Sequence, residues 1–271
     1  MVDIVFDIDL TLIQSIWASK TDIKSILNDK ELLNLSNLFI VSNDELDYAK
    51  KNYLIQRNKT RKSIKTLKIN KLNTSNNTII ESKSNTIKKL KRETQLTNIQ
   101  NIAFIVFIRP YVKEILNWCF ENARVSFWTS GDYSYAITII KHLVQPKYIN
   151  KIKTIITRYS RHIYIDLYTN KKYSVLRNGV LVKNMDLLFE NENFKHKFNR
   201  RNTILIDDLA VNILENIKSH NKYNIIPIEP WFYKDVGDIR ILELLQWLML
   251  MKKNNKIDIR NQRPLLVDEE K

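Results

Sequence analysis

Met1-Val-Asp-Ile-Val-Phe-Asp-Ile-Asp-Leu-Thr-Leu12 opens the chain with an apolar run that ends in two carboxylates and a threonine. Val2 to Phe6 reads as a strand apolar enough to be buried on both faces, as in a parallel sheet. On an extended backbone Asp7 and Asp9 point to the same side, next to each other at the carboxyl end of that strand. Two carboxylates this close repel unless a cation lies between them or one keeps its proton. Either condition suits phosphoryl transfer. A divalent metal can hold phosphate oxygens while one carboxylate attacks phosphorus, and the neighbouring carboxyl can protonate the leaving oxygen. Asp-x-Asp at a strand end also serves as a turn or helix cap, so its meaning depends on the rest of the chain.

A second acidic pair answers that question. Thr203 to Ile206 reads as another buried strand and ends in Asp207-Asp208. If the sheet is parallel, both pairs lie at the same carboxyl edge, where open α/β sheets bind ligands. Between them the chain alternates strands and helices. Ile102 to Ile108 is a strand by its β-branched and aromatic content, stopped by Arg109-Pro110. Pro110 suits the first turn of a helix whose Val112, Ile115, Leu116 and Cys119 make an apolar stripe. Arg124 to Trp128 is a strand leading through Thr129-Ser130-Gly131-Asp132 into a helix over 133–143. That junction offers backbone N–H groups, a hydroxyl and a helix amino terminus to an anion, although Asp132 is also an ordinary helix cap. Weaker strands are expected at Leu38 to Ser42, Lys153 to Ile156, His162 to Leu167 and Asn224 to Ile228. Helices are expected over 21–33 and 185–189, after Asp208 with Leu209, Ile213, Leu214 and Ile217 inward, and from Ile239 to Met251.

Composition narrows the function classes. The 271 residues carry 44 Lys+Arg against 29 Asp+Glu, a net charge of +15, with 3 Gly, 5 Pro and a single cysteine, Cys119. One cysteine rules out an internal disulfide framework and suits a reducing compartment. Acids at positions 3, 7 and 9 do not fit a signal peptide, and the longest apolar run, Leu242 to Met251, is too short for a membrane span. The expectation is a soluble intracellular protein, nuclear or cytoplasmic and not secreted. Fourteen of the cations and only one acid, Glu81, fall between Lys50 and Arg92. This Asn-, Ser- and Thr-rich stretch reads as a loosely ordered insertion, either a solvated loop or a surface for nucleic acid or an acidic protein. The four histidines are scattered, so no zinc site is visible. Cys119 lacks the phosphate loop of a cysteine phosphatase, and glycine-rich nucleotide cradles are absent.

Asp7-Ile-Asp-Leu-Thr11, Thr129, Lys183 and Asp207-Asp208 follow the order of the four motifs of the haloacid dehalogenase superfamily. The surrounding text resembles its RNA polymerase II CTD phosphatase-like branch, large-DNA-virus members included. The stretches that carry the likeness are Phe107-Ile-Arg-Pro-Tyr-Val-Lys-Glu-Ile-Leu116, Val125-Ser-Phe-Trp-Thr-Ser-Gly-Asp-Tyr-Ser-Tyr-Ala136, Leu181-Val-Lys-Asn-Met-Asp-Leu187 and Ile228-Glu-Pro-Trp-Phe232. The resemblance implies an α/β, Rossmann-like three-layer fold with a central parallel sheet, a small flap and the basic insertion after the first motif. Its core would be 1–19 and 101–251, its flap 20–49, its insertion 50–100 and its tail 252–271. By the same resemblance Asp7 is the nucleophile that forms an aspartyl-phosphate and Asp9 the acid and base. Thr129 and Ser130 hold the phosphoryl group, and Lys183 neutralises charge. Mg²⁺ is held by Asp7, Asp208 and the backbone carbonyl of Asp9, with Asp207 orienting Lys183 or a metal-bound water. Thr11 holds the loop after the nucleophile. The branch more often has Leu-Asp-Glu-Thr where this chain has Ile-Asp-Leu-Thr. The implied substrate is phosphoserine or phosphothreonine in a phosphoprotein such as a polymerase tail. A nucleic-acid 3′-phosphatase and a non-catalytic binding or translocase-type subunit are the alternatives.

Overall fold

A computed structural model describes residues 1–18, 23–29, 37–59, 101–235 and 237–253. Most of the basic stretch, from residue 60 to 92, and the tail from 254 lie outside these residues, as does part of the helix expected over 21–33. Helix α1 (Ile23–Asn28) is its described portion.

The central sheet is built on β1 (Asp3–Phe6), every residue of which is buried. It pairs in parallel with β5 (Arg124–Asp132) on one side and β11 (Thr203–Asp207) on the other. β12 (Ile225–Pro227) extends the sheet in parallel beyond β11, and β6 (Ile155–Ser160) does so beyond β5. Two antiparallel strands, β7 (Ile163–Asp166) and β8 (Lys172–Tyr173), complete seven strands in the order β12-β11-β1-β5-β6-β7-β8. A two-stranded hairpin, β9 (Leu176–Arg177) with β10 (Val180–Leu181), lies outside this sheet.

Alternation along the strands sorts the core into two layers. Ile4 and Phe6 of β1, with Val125, Phe127, Ile204, Ile206 and Ile226, pack on α3 (Val112–Asn122), α4 (Tyr133–Leu143) and α8 (Arg240–Lys253). Val5, Trp128, Leu205 and Ile225 face the other way, against α6 (Asp186–Glu190) and the 194–198 turn. This is the expected three-layer α/β arrangement with a mostly parallel sheet. A short helix, α5 (Pro146–Ile149), joins α4 to β6.

The strand at Ile102–Ile108, β4, does not enter the central sheet. It is the middle of a separate antiparallel sheet between β2 (Ile13–Trp17) and β3 (Asn37–Ser42). Its two faces explain why all seven residues are apolar and buried: Phe104, Val106 and Ile108 join the main core, while Ile105 and Phe107 join a cluster with Ile23, Ile26, Leu38 and Trp231. The first residues of the basic stretch are also ordered, because α2 (Asn43–Lys59) runs through them. Helix α3 begins two residues after Pro110, with Tyr111 in the left-handed region at φ 63° as its N-cap.

The helix after Asp208 corrects the sequence reading. In α7 (Ala210–Lys218) the buried residues are Asn212 and Asn216, while Leu209, Leu214 and Ile217 are exposed and Ile213 is only partly buried. The inward face is set by hydrogen bonding. Asn212 Oδ1 accepts from Lys183 N at 3.0 Å, and Asn216 Oδ1 from Met185 N at 2.8 Å. Asn216 Nδ2 donates to the carbonyls of Lys183 and Asn212. These side chains supply partners that the buried backbone at Lys183 and Met185 needs. Asn216→Ala is therefore expected to destabilise the fold by about 2–4 kcal/mol, measured by denaturant unfolding, whereas Leu214→Ala should be nearly neutral.

Candidate active site

Register brings the acidic pairs together. Phe6 lies opposite Ile206 on one side and Phe127 on the other, and Asp7 N donates to Ile206 O at 2.9 Å. The carboxyl ends of β1, β5 and β11 therefore meet at one level, where the strand order reverses about β1. Asp7, Asp9, Thr129, Lys183, Asp207 and Asp208 all gather there.

The ammonium of Lys183, buried at 1% exposure, sits 2.5 Å from Asp7 Oδ1 and 2.7 Å from Asp207 Oδ2. Burial opposes its charge, but Asp207 and Asp7 outweigh burial and raise its pKa, so it stays protonated. Asp207 is fully committed. Its Oδ2 takes Lys183, and its Oδ1 accepts from Leu209 N and Asn212 Nδ2, both at 2.9 Å. Asp208 is half-buried and accepts the Thr11 hydroxyl at 2.9 Å. One oxygen each from Asp7, Asp207 and Asp208 lie within 4.8 Å of one another.

The loop after Asp7 is fixed from several sides. Leu10 adopts a left-handed backbone at φ 58°, and its carbonyl accepts from Trp231 N. The Thr11 carbonyl accepts from the buried Arg109 guanidinium at 3.2 Å, which also makes a two-pronged pair with Asp238. The Thr11 side chain reaches the other acidic pair, its hydroxyl donating to Asp208.

Four carboxylates against one ammonium leave the cluster short of positive charge. Burial, and then the neighbouring carboxylates, push the Asp7 pKa well above the usual range despite Lys183. Burial likewise raises Asp9 and Asp208. Burial and mutual repulsion thus favour protonated carboxyls where no cation offsets them. Groups with raised folded-state pKa contribute stability that is fully present below the ordinary carboxylate range and is lost as pH rises through the raised values. The metal-free protein should therefore melt higher near about pH 5 than near about pH 8, and millimolar Mg²⁺ should narrow the difference, as read by calorimetry. The donor set fits such an ion: hard carboxylate oxygens, partly open, with no nitrogen or sulfur ligand.

Thr129 is buried in β5, just past the level at which Phe127 lies opposite Phe6. Its hydroxyl accepts from Gly131 N at 2.9 Å and points to Asp9 Oδ2 at a long 3.5 Å. Gly131 is required because a Cβ would collide with the Tyr135 ring. Ser130 is exposed, 3.4 Å from the Tyr164 hydroxyl. The amino terminus of α4 is not open to an anion: Asp132 caps it, accepting from Tyr135 N at 3.0 Å and from the Ser134 hydroxyl. Asp9 is turned away from the three-oxygen cluster. Its Oδ1 accepts a hydrogen bond from Tyr135, whose hydroxyl is also 2.7 Å from Ser15 Oγ. Neither Tyr135 nor Ser15 stands out in the sequence.

Cys119 is buried on α3, where burial pushes its thiol pKa up. His142 pairs with Glu45 and stacks on Phe39. Among the described residues, no helix is long and apolar enough to cross a membrane.

The model of the NLI interacting factor-like phosphatases matches residues 74–260. A putative CTD phosphatase-like protein of Invertebrate iridescent virus 3 is 28% identical over 148 residues, 52% of this chain and 69% of that protein. Its counterpart in Invertebrate iridescent virus 6 is 25% identical over 133 residues, 49% and 65% of the two chains. Among solved structures, Fcp1, an essential RNA polymerase II CTD phosphatase, matches at a TM-score of 0.43 and 15% identity; the match covers all of this chain and 55% of that one. The family match contains Thr129, Lys183 and Asp207-Asp208 but not the first two aspartates, which β1 delivers by pairing between β5 and β11. The chain belongs to the NLI interacting factor-like phosphatases, the CTD phosphatase-like branch of the haloacid dehalogenase superfamily.

Proposed function

We propose that the protein hydrolyses phosphomonoesters with Mg²⁺ through an aspartyl-phosphate on Asp7, acting on phosphoserine or phosphothreonine in a protein such as a polymerase tail. The observation that carries this reading is the Asp7–Lys183–Asp207 arrangement. A buried carboxylate is held by an ammonium that is itself fixed by a second, fully bonded carboxylate. Such a carboxylate is oriented for attack, and the charge it passes to phosphate meets a counter-charge already in place.

Asp7 and Asp208 would hold the metal, together with the backbone carbonyl of Asp9. Asp207, whose oxygens are taken by Lys183, Leu209 and Asn212, serves to orient the lysine. Bound there, the ion would supply positive charge against the phosphate oxygens. Asp7 attacks phosphorus and Asp9 gives a proton to the leaving oxygen. Asp9 then takes a proton from the water that releases phosphate. Thr129 holds a phosphoryl oxygen through a hydroxyl whose own hydrogen is only loosely engaged, and Ser130 borders the same edge.

The concentration of cations between Lys50 and Arg92 favours a second reading, a nucleic-acid 3′-phosphatase of the same mechanism. Phosphopeptide and 3′-phospho-oligonucleotide panels, run with and without residues 60–92, separate the two. Peptide turnover that survives the deletion supports the protein phosphatase. Turnover confined to oligonucleotides and lost with the segment supports the alternative. No hydrolysis of any phosphomonoester with Mg²⁺ would overturn both and favour a binding subunit.

A further inference from the structure

Tyr135 is the third residue of α4, and its hydroxyl lies between two partners, Asp9 Oδ1 and Ser15 Oγ. A phenol has one hydrogen to give. Since it goes to the carboxyl of Asp9, the 2.7 Å contact with Ser15 must be donated by the serine. The result is a directed chain, Ser15 Oγ–H to Tyr135 Oη–H to Asp9 Oδ1. It starts on β2 of the small sheet and ends on the carboxyl beside the nucleophile.

The ring that carries this chain is held in place. Trp17 stacks on it at 6.0 Å and 25°, Phe104 packs at 5.4 Å and 49°, and Gly131 leaves room for its edge. The two oxygens of Asp9 are thereby made unequal. Oδ1 is committed to Tyr135, while the hydrogen-bond partner of Oδ2 among the described residues is the Thr129 hydroxyl at 3.5 Å, longer than a sound O–H···O bond.

On the phosphatase reading above, we propose that Ser15 and Tyr135 are positioning residues for Asp9, a relay from the small sheet that leaves Oδ2 as the oxygen meeting the leaving group. In the first half of the reaction the Asp7–phosphorus bond forms as the ester P–O bond breaks, and the proton on Asp9 Oδ2 goes to the departing oxygen. In the second half the water oxygen bonds to phosphorus, the Asp7–phosphorus bond breaks and the water proton returns to Oδ2. Tyr135 keeps its own proton throughout, and the reaction uses it only to aim the carboxyl.

A misaimed acid matters most where the leaving oxygen is basic. The test is a series of substituted phenyl phosphates with Mg²⁺, from dinitrophenyl to unsubstituted phenyl, hydrolysed by the wild type, Tyr135→Phe and Ser15→Ala. Tyr135→Phe should lower kcat/KM for phenyl phosphate by roughly 10- to 100-fold, part of the range that general acid catalysis supplies. For dinitrophenyl phosphate, which departs without a proton, the loss should stay under about 3-fold. Ser15→Ala should shift the series in the same direction by less. Equal losses along the series, or no loss, would overturn the relay even if the enzyme is a phosphatase. A wild type that hydrolyses no member of the series would overturn the phosphatase reading, and the relay with it.

Discussion

Asp7→Asn should abolish turnover without weakening the fold. If Asp7 is the nucleophile, the amide cannot form the phosphoryl intermediate, and kcat should fall by roughly 10⁴-fold or more. Stability should move the other way. Asp7 is buried among Asp207, Asp208 and Asp9, and Lys183 alone favours its charged form. The asparagine has the same shape and removes that repulsion, while Lys183 keeps Asp207 at 2.7 Å. The metal-free variant should melt at the wild-type temperature or a few degrees above it, since about 1 kcal/mol moves a domain of this size by roughly 2–4 °C. It should also lose most of the stabilisation that Mg²⁺ gives the wild type. Activity within tenfold of wild type would remove Asp7 from the reaction. A large drop in melting temperature would show that the carboxylate is structural.

Lys183→Met should damage both properties at once. The methionine keeps the aliphatic stem, so packing is nearly preserved and the loss reports on charge. Asp207 is wholly buried, and Asp7 nearly so. Removing their shared partner leaves buried negative charge uncompensated, which costs about 3–5 kcal/mol. At roughly 2–4 °C per kcal/mol the melting temperature should drop by about 10 °C at neutral pH. Acidification should recover part of that loss as the carboxyls protonate. The rate should fall by a further factor of about 10²–10³, the usual effect of removing one charge-stabilising group. A variant that melts like the wild type at neutral pH would contradict the account of the buried triad, whatever its activity.

Much of this site is legible in the first twelve residues and the 203–208 stretch. An unbroken apolar run fixes a buried strand, and a parallel sheet then forces strand-end acids onto one edge, which is why Asp7, Asp9, Asp207 and Asp208 meet. Three features are not legible, each for a physical reason. The 102–108 run is apolar whichever sheet it joins, so its sequence does not say that it leaves the central sheet for a small one buried on both faces. The periodicity of α7 points Leu209, Leu214 and Ile217 inward. The fold instead buries Asn212 and Asn216, because the backbone around Lys183, some thirty residues earlier, needs partners. Local pattern carries no trace of that demand. Tyr135 carries no local mark of a polar role, and only the placement of β2 shows that its hydroxyl spans Ser15 and Asp9.

The central claim is that Asp7 carries the phosphoryl group. Its most direct test is reductive trapping of the acyl-phosphate during turnover of an aryl phosphate with Mg²⁺, followed by peptide mapping of the trapped protein. The account predicts reduction at residue 7 alone, dependent on substrate and absent from Asp7→Asn. Trapping at another carboxylate, or full turnover with residue 7 never modified, would contradict it.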